Sequence, residues 1–300
     1  ESAVEFSDIF LAATKATRKH SLFQSEANVR HRKKLRYVTY PVDFERFGTI
    51  QPKAHDGFNI GYVGTLDYAK MHRNFLPMSD AIDVPKIKFF ICGESFDKKT
   101  VELEAQKYPV GKFQFMGFFE NIKSILEIID VFGYPLNAKH YGSGEQAVNE
   151  AMYAGLPVVA FSNPAEQEII SHNETGILVD NEQSYTEAIQ ALYLNPAERT
   201  RIGMNARKHI IEHFSPLQCF QKLESIYKEV MGLDKRSRTF KKLIESNYAS
   251  GNDLGARLFI ESLGDQGSEF LQSYKSRGEG WSADINKIIS EAEIGMKMVT

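Results

Sequence analysis

Six short runs of β-branched and aromatic residues, each separated from the next by a helical or turn-forming stretch, constrain this chain more than any other feature. The runs cover residues 58–63, 87–92, 113–116, 131–135, 157–161 and 176–179, and the stretches between them include helical patterns at 98–108, 122–129 and 144–154. Strands that alternate with helices build a parallel sheet with crossover connections. In the second pattern Ile122, Ile125, Leu126 and Ile129 recur at three- and four-residue steps, which is one face of a helix. The expected fold is α/β, a doubly wound, Rossmann-like parallel sheet of about six strands.

Ligands of such sheets bind beyond the carboxyl ends of the strands. That rule selects Gly64-Thr65-Leu66, Gly93-Glu94, Gly117-Phe118-Phe119-Glu120 and the segment 142–145. Three of these loops begin with glycine directly after a strand, where backbone must turn sharply or approach something closely. None carries the G-x-G-x-x-G fingerprint, which disfavours a nicotinamide or flavin enzyme.

The richest segment is 140–160. It reads as a glycine-containing loop, a short helix with two glutamates, a turn at Gly155 and a buried strand. Ser143 with Gln146 has the S-x-x-Q spacing of a capping box, which predicts a helix start there. In the loop opened by Gly142, the backbone N–H groups at Ser143, Gly144 and Glu145 suit an anion at a helix N-terminus. Glu145 and Glu150 can accept hydrogen bonds from hydroxyls. A nucleotide-sugar has both phosphate and hydroxyl groups. The same residues also serve as fold punctuation, and the helix dipole alone favours Glu145 in a first turn.

A length of 300 residues fits one large or two ordinary domains. A formal net charge of -3 gives no general basis for nucleic-acid or membrane binding. The basic runs 30–34 and 235–238 leave peripheral contact with anionic lipid open. No apolar run approaches the roughly 18 residues of a membrane span. Cys92 and Cys219 lie far apart, which fits a reduced, cytoplasmic location. The chain opens at Glu1, in what reads as the middle of an element, so a piece of a longer protein is expected.

With the loops in place, residues 38–231 resemble the C-terminal, donor-binding half of a GT-B glycosyltransferase of retaining family 4. Val38-Thr39-Tyr40-Pro41-Val42-Asp43 followed by Phe47 resembles the segment that links the two halves in that family. Gly61-Tyr62-Val63-Gly64-Thr65-Leu66 is similar to its "vGrl" strand, and Phe89-Phe90-Ile91-Cys92-Gly93 to the next one. Phe115-Met116-Gly117-Phe118 resembles "v.f.G.v", and Gly176-Ile177-Leu178-Val179 resembles "G.lv". Glu150-Ala151-Met152-Tyr153-Ala154-Gly155-Leu156-Pro157-Val158-Val159 is close to "EAMA.G.PVVA".

The resemblance implies roles position by position. Glu150 matches the second glutamate of the family's paired motif, which binds the ribose hydroxyls. The first glutamate normally stands eight positions earlier, where this chain has Gly142, and Glu145 is the nearest substitute for contact with the sugar. The His-Tyr-Gly-Ser-Gly-Glu form resembles a branch found in surface-polysaccharide enzymes. Thr65 stands at the family's diphosphate-binding arginine, whereas Lys70 matches its lysine, and Arg73 is a candidate for the missing charge. Gly64 and Gly117 flank the nucleotide, and Phe118 either stacks on the base or belongs to the core. Lys70 and Glu145 are the candidate catalytic residues.

The implied domains are a remnant of the N-terminal half with its linker (1–56), the nucleotide-sugar donor domain (57–214), the C-terminal helix of the half (215–233) and a helical extension (234–300). The implied function is transfer of a hexose from a nucleotide-sugar to an acceptor hydroxyl, on a glycan or lipid-linked acceptor, in polysaccharide biosynthesis. No cofactor is expected, and the absence of a D-x-D-like motif in the site loops implies metal independence. The missing N-terminal half is the expected partner, so this chain alone is expected to bind donor and do little else. Two alternatives stay open: a degenerate nucleotide-sugar-binding module, and a GT-B sugar-nucleotide epimerase.

Overall fold

The computed structural model describes residues 7–235 except 27, 96, 139 and 141–143. The chain divides into two units, 1–233 and 234–300. The expected helical extension, and all but Lys235 of the basic run 235–238, lie outside the described residues.

A short parallel pair, β1 (Phe10–Ala12) and β2 (Leu35–Tyr37), opens the described chain, with the helix α1 (Ser21–Gln24) between them. Phe23 and Leu35 form a small core of their own, against which Phe10, Ala12 and Tyr37 pack. The basic run 30–34 lies in a 3-10 turn, where Arg32 donates to the Phe23 carbonyl at 2.6 Å. A four-residue helix, α2 (Phe44–Phe47), follows the linker and is capped by Asp43, whose carboxylate accepts from the Arg46 N–H.

The main sheet contains β3 (Phe58–Val63), β4 (Ile87–Cys92), β5 (Phe113–Gly117), β6 (Val131–Tyr134), β7 (Val158–Phe161) and β8 (Ile177–Val179). Its order is β5-β4-β3-β6-β7-β8, and every neighbouring pair is parallel. The expected doubly wound, Rossmann-like sheet is therefore the fold observed. Strands β6 and β7 are buried along their whole length, as a sheet covered on both faces requires. The chain runs outward through β3, β4 and β5, then returns to the other side of β3 with β6. The strand order thus reverses between β3 and β6, and a crevice opens at that switch point.

The remaining helices are α3 (Phe75–Asp80), α4 (Lys98–Ala105), α5 (Lys123–Leu126), α6 (Gln146–Tyr153), α7 (Glu166–Ile169), α8 (Glu182–Leu194), α9 (Pro196–His213) and α10 (Pro216–Met231). The last three have strong start signals. Asn181 and Ser184 form a capping box, and Asn195 and Ser215 each cap a helix whose first residue is proline. Three helices are shorter than their patterns. The helix expected over 98–108 ends at Ala105, because Tyr108 precedes Pro109 and is pushed away from helical geometry. The pattern at 122–129 is helical only over Lys123–Leu126. The helix expected from Ser143 or Gly144 begins at Gln146, with Glu145 at the cap position.

Backbone approaches side chains could not permit fix two contacts. A Cβ on Gly203, in the middle of α9, would stand 2.0 Å from the Gly155 carbonyl oxygen at the end of α6. A Cβ on Gly93 would stand 1.8 Å from the Gly64 oxygen, and Gly93 has a φ of +144°.

Candidate functional site

The site forms where the loops after β3 and β6 meet at the switch point. These loops are stitched together by main chain. His72 donates its N–H to the Pro135 carbonyl at 2.9 Å, Asn137 donates to the Lys70 carbonyl at 2.8 Å, and Met71 bridges Leu136. Asp67 holds the start of the first loop by accepting from the Lys70 N–H at 2.9 Å.

This stitching directs the Lys70 side chain inward. Its ammonium lies 3.4 Å from Glu145 Oε2 and 5.8 Å from the centre of the Tyr134 ring. The Glu145 carboxylate also accepts from the Tyr134 hydroxyl at 2.6 Å, and its side chain is only 1% exposed. Burial pushes the Tyr134 hydroxyl well above the ordinary tyrosine range, and the neighbouring Glu145 charge adds to it. Glu145 therefore lies beneath the crevice as the counterion of Lys70. His140 Nδ1 stands 3.7 Å from Glu145 Oε1, and His140 Nε2 stands 3.3 Å from Glu166 Oε1. One coordinating atom from each of His140, Glu145 and Glu166 lies within 4.8 Å of the others, the described residues closest to a metal-ligand set.

Glu150 sits just over one turn beyond Glu145 on α6 and does not join this cluster. Its carboxylate lies 3.4 Å from Gln146 Nε2 and 3.9 Å from the Arg46 guanidinium. Burial raises its pKa, and those two neighbours oppose the rise. Gln146 also donates to the Pro41 carbonyl at 3.2 Å, tying the start of α6 to the linker. Gly144 belongs to the same seam. A Cβ there would meet the Tyr40 ring at 2.4 Å and Ala13 at 2.8 Å.

Gly64 and Gly93, which follow β3 and β4, and Gly117, which ends β5, lie along a main-chain ladder. Gly64 donates to the Cys92 carbonyl at 3.0 Å, and Gly93 donates to the Gly117 carbonyl at 2.8 Å. Thr65, beside Gly64, accepts from the Tyr62 hydroxyl through its carbonyl at 3.1 Å. Phe118 is 72% exposed, which removes it from the core, whereas Phe119 packs against the core. Arg73 is exposed and lies 4.5 Å from the centre of the Tyr68 ring, whose hydroxyl is bonded to Glu104. Gly142 and Ser143 lie outside the described residues.

A cleft of about 630 Å³ opens beside the cluster, walled by His72, Asn137, Phe161, Asn163, Asp180 and Glu182. The His72 ring stands 4.8 Å from that of Phe161, and burial lowers its pKa. Three participants escaped the sequence reading: Tyr134, Glu166 and His140 as a contact of Glu145. Tyr134 had one signal, a polar hydroxyl ending an otherwise apolar strand. Glu166 had none, because it reads as an ordinary surface-helix glutamate.

The family model described as glycosyl transferases group 1 matches residues 43–209, more than half of the chain. A capsular polysaccharide biosynthesis glycosyltransferase of Staphylococcus aureus, CapM, is 25% identical over 62% of this chain and 52% of its own length. The N-acetyl-alpha-D-glucosaminyl L-malate synthase of Bacillus anthracis is 26% identical over 50% of this chain and 40% of its own. Among solved structures, Anabaena HepE in complex with UDP and glucose superposes with a TM-score of 0.65 at 15% identity, over 76% of this chain and 65% of that one. That likeness is one of fold. The chain spans 21% to 52% of the length of the curated relatives it matches. No described helix is long and apolar enough to cross a membrane.

Proposed function

The chain belongs to the glycosyl transferases group 1 family, and from that premise we propose that it is the donor-binding part of a retaining hexosyltransferase acting in glycan or surface-polysaccharide synthesis. The observation that carries the reading is the convergence of the loops after β3 and β6 on one ammonium, Lys70, at the crevice where the strand order reverses. As a nucleotide-sugar reacts, its glycosidic C–O bond to the diphosphate breaks and negative charge grows on the leaving phosphate. A fixed cation stabilises that charge more strongly in the transition state than in the ground state. The anomeric centre becomes oxocarbenium-like, as in glycoside hydrolysis, while the acceptor hydroxyl attacks and passes its proton to the departing diphosphate.

The other parts have matching roles. Gly64 and Gly117 let backbone come close to the nucleotide, and Phe118 offers an exposed aromatic face for the base. Glu150 accepts from the ribose hydroxyls, since a carboxylate can accept from two adjacent hydroxyls at once. The amide- and carboxylate-lined cleft beside His72 has room for a hexose. The occurrence of UDP in HepE supports uridine nucleotides as first candidates. With Lys70 in this position we propose transfer without a metal, in the cytoplasm, with the acceptor site supplied by an N-terminal half.

A second reading, a module that holds nucleotide-sugar without transferring it, is favoured by one observation. Thr65 replaces the family's arginine, and Arg73 is engaged by the Tyr68 ring. Calorimetric titration of the chain with nucleoside diphosphates and nucleotide-sugars, first without metal and then with magnesium, tests the proposal. Metal-free binding to one nucleotide family, weakened in Glu150→Gln, supports it. Absence of binding to every member of the panel would sink the donor-site assignment.

A further inference from the structure

Glu166 is fully buried, and neither of its carboxylate oxygens makes a hydrogen bond. Oε1 of Glu145 is buried in the same condition. A buried carboxylate without compensation is costly, so each of these needs a charge partner. Lys70 partners Glu145 on its Oε2 side, where Tyr134 also donates. On the other side stands His140, with Nδ1 3.7 Å from Glu145 and Nε2 3.3 Å from Glu166. Its two ring nitrogens thus face two different carboxylates. Ionised carboxylates only accept, so a ring nitrogen facing each must carry a hydrogen. With His140 as the imidazolium, two anions and two cations cancel within the cluster.

We infer that His140 and Glu166 are positioning residues of the donor site: the imidazolium of His140 clamps Glu145 against Glu166, and the clamped Glu145 holds the Lys70 ammonium at the diphosphate position. The loops after β3, β6 and β7 are then cross-tied by one buried chain of charges, Lys70–Glu145–His140–Glu166. Among the described residues Tyr134 also faces this chain of charges, donating to Glu145. The inference rests on the donor-site reading for its functional part and on geometry alone for its structural part.

The experiment has two arms, both on the full chain. In the first, nitrogen-15 spectra of the labelled histidines at pH 7, with His140→Gln for assignment, report the protons on each ring nitrogen. Both nitrogens of His140 protonated, and one released in Glu166→Gln, is the expected result. A neutral ring, or stoichiometric zinc in the purified protein that is lost in His140→Gln, would overturn the clamp. In the second arm, UDP and uridine are titrated into wild type, His140→Gln and Glu166→Gln. Displacement of Lys70 predicts at least a tenfold loss of UDP affinity with uridine affinity unchanged. Equal losses for both ligands mean a general structural role and overturn the positioning claim. If wild type binds neither ligand, the donor reading with UDP fails, and the first arm still decides the clamp.

Discussion

The Lys70 ammonium and the Glu145 carboxylate lie 3.4 Å apart, with 15% of one side chain and 1% of the other exposed. A carboxylate so deeply buried is engaged from within the protein, by the Lys70 ammonium and the Tyr134 hydroxyl. It is the fixed counterion that keeps a lysine in the crevice, and the two should respond to mutation as a unit.

Lys70→Ala should therefore lower stability as well as nucleotide affinity. Removing Lys70 leaves the buried Glu145 with only His140 and Tyr134 as partners and the cluster one cation short, at a cost of about 3 kcal/mol. Adding Glu145→Ala should recover much of the thermal midpoint and none of the UDP affinity. A double mutant no more stable than Lys70→Ala would mean that the two side chains are not coupled.

Tyr134→Phe removes the hydroxyl that donates to Glu145 at 2.6 Å. The buried acceptor then loses a partner, which costs about 1–3 kcal/mol. Urea denaturation should show the lower midpoint with an unchanged slope, since the ring and the strand it ends remain in place.

Glu150→Gln should separate binding from stability. Burial raises the Glu150 pKa, so the folded state holds its proton more tightly than the unfolded chain does. The associated stability is present at low pH and is lost as pH rises through the raised value. At pH 7 the glutamine variant, free of a desolvated charge, should be at least as stable as wild type, and the gap should close as pH falls. Its UDP affinity should drop about tenfold, roughly 1.4 kcal/mol. Wild-type affinity should fall on acidification at a higher pH than an exposed glutamate would dictate. A flat binding profile between pH 7 and 5 would remove Glu150 from the ribose role.

Gly93→Ala should be severe and Gly111→Ala mild. Both glycines have positive φ, +144° and +81°. At Gly111 nothing lies within 4 Å of the added Cβ, so only backbone strain of about 1 kcal/mol is expected. At Gly93 the added atom falls 1.8 Å from the Gly64 oxygen, which must move, and a loss of about 3 kcal/mol or more is expected. Thermal unfolding of the two variants side by side gives the comparison.

The sheet was legible because strands buried on both faces leave continuous apolar runs, and every main-sheet strand was located from such a run to within one residue at either end. The helix α3 was missed because Pro77 interrupts its first turn, and the β1–β2 pair because three-residue strands carry almost no pattern. In the site, Lys70 and Glu150 stood out only through the family resemblance, by their register in its motifs. Their environments were not legible. Nothing in the local sequence says that Glu145 turns inward, because that depends on Tyr134 and Lys70, which reach it from separate loops. Glu166 lies 21 residues beyond Glu145, and only the folding of β7 between them brings both to His140.

The contact of Gly203 with Gly155 has a consequence for how this protein can vary. The helix that carries Glu150 meets α9 main chain to main chain, with no side chain between them as a spacer. Elsewhere in a packed interior, exchanging one apolar residue for another shifts neighbouring helices by a fraction of an ångström. Here the separation is set by two peptide groups, so substitutions elsewhere leave it in place, whereas any side chain at Gly203 forces the two helices apart. The joint acts as a reference surface for the helix that carries Glu150, fixing its distance from α9 whatever the side chains around it become.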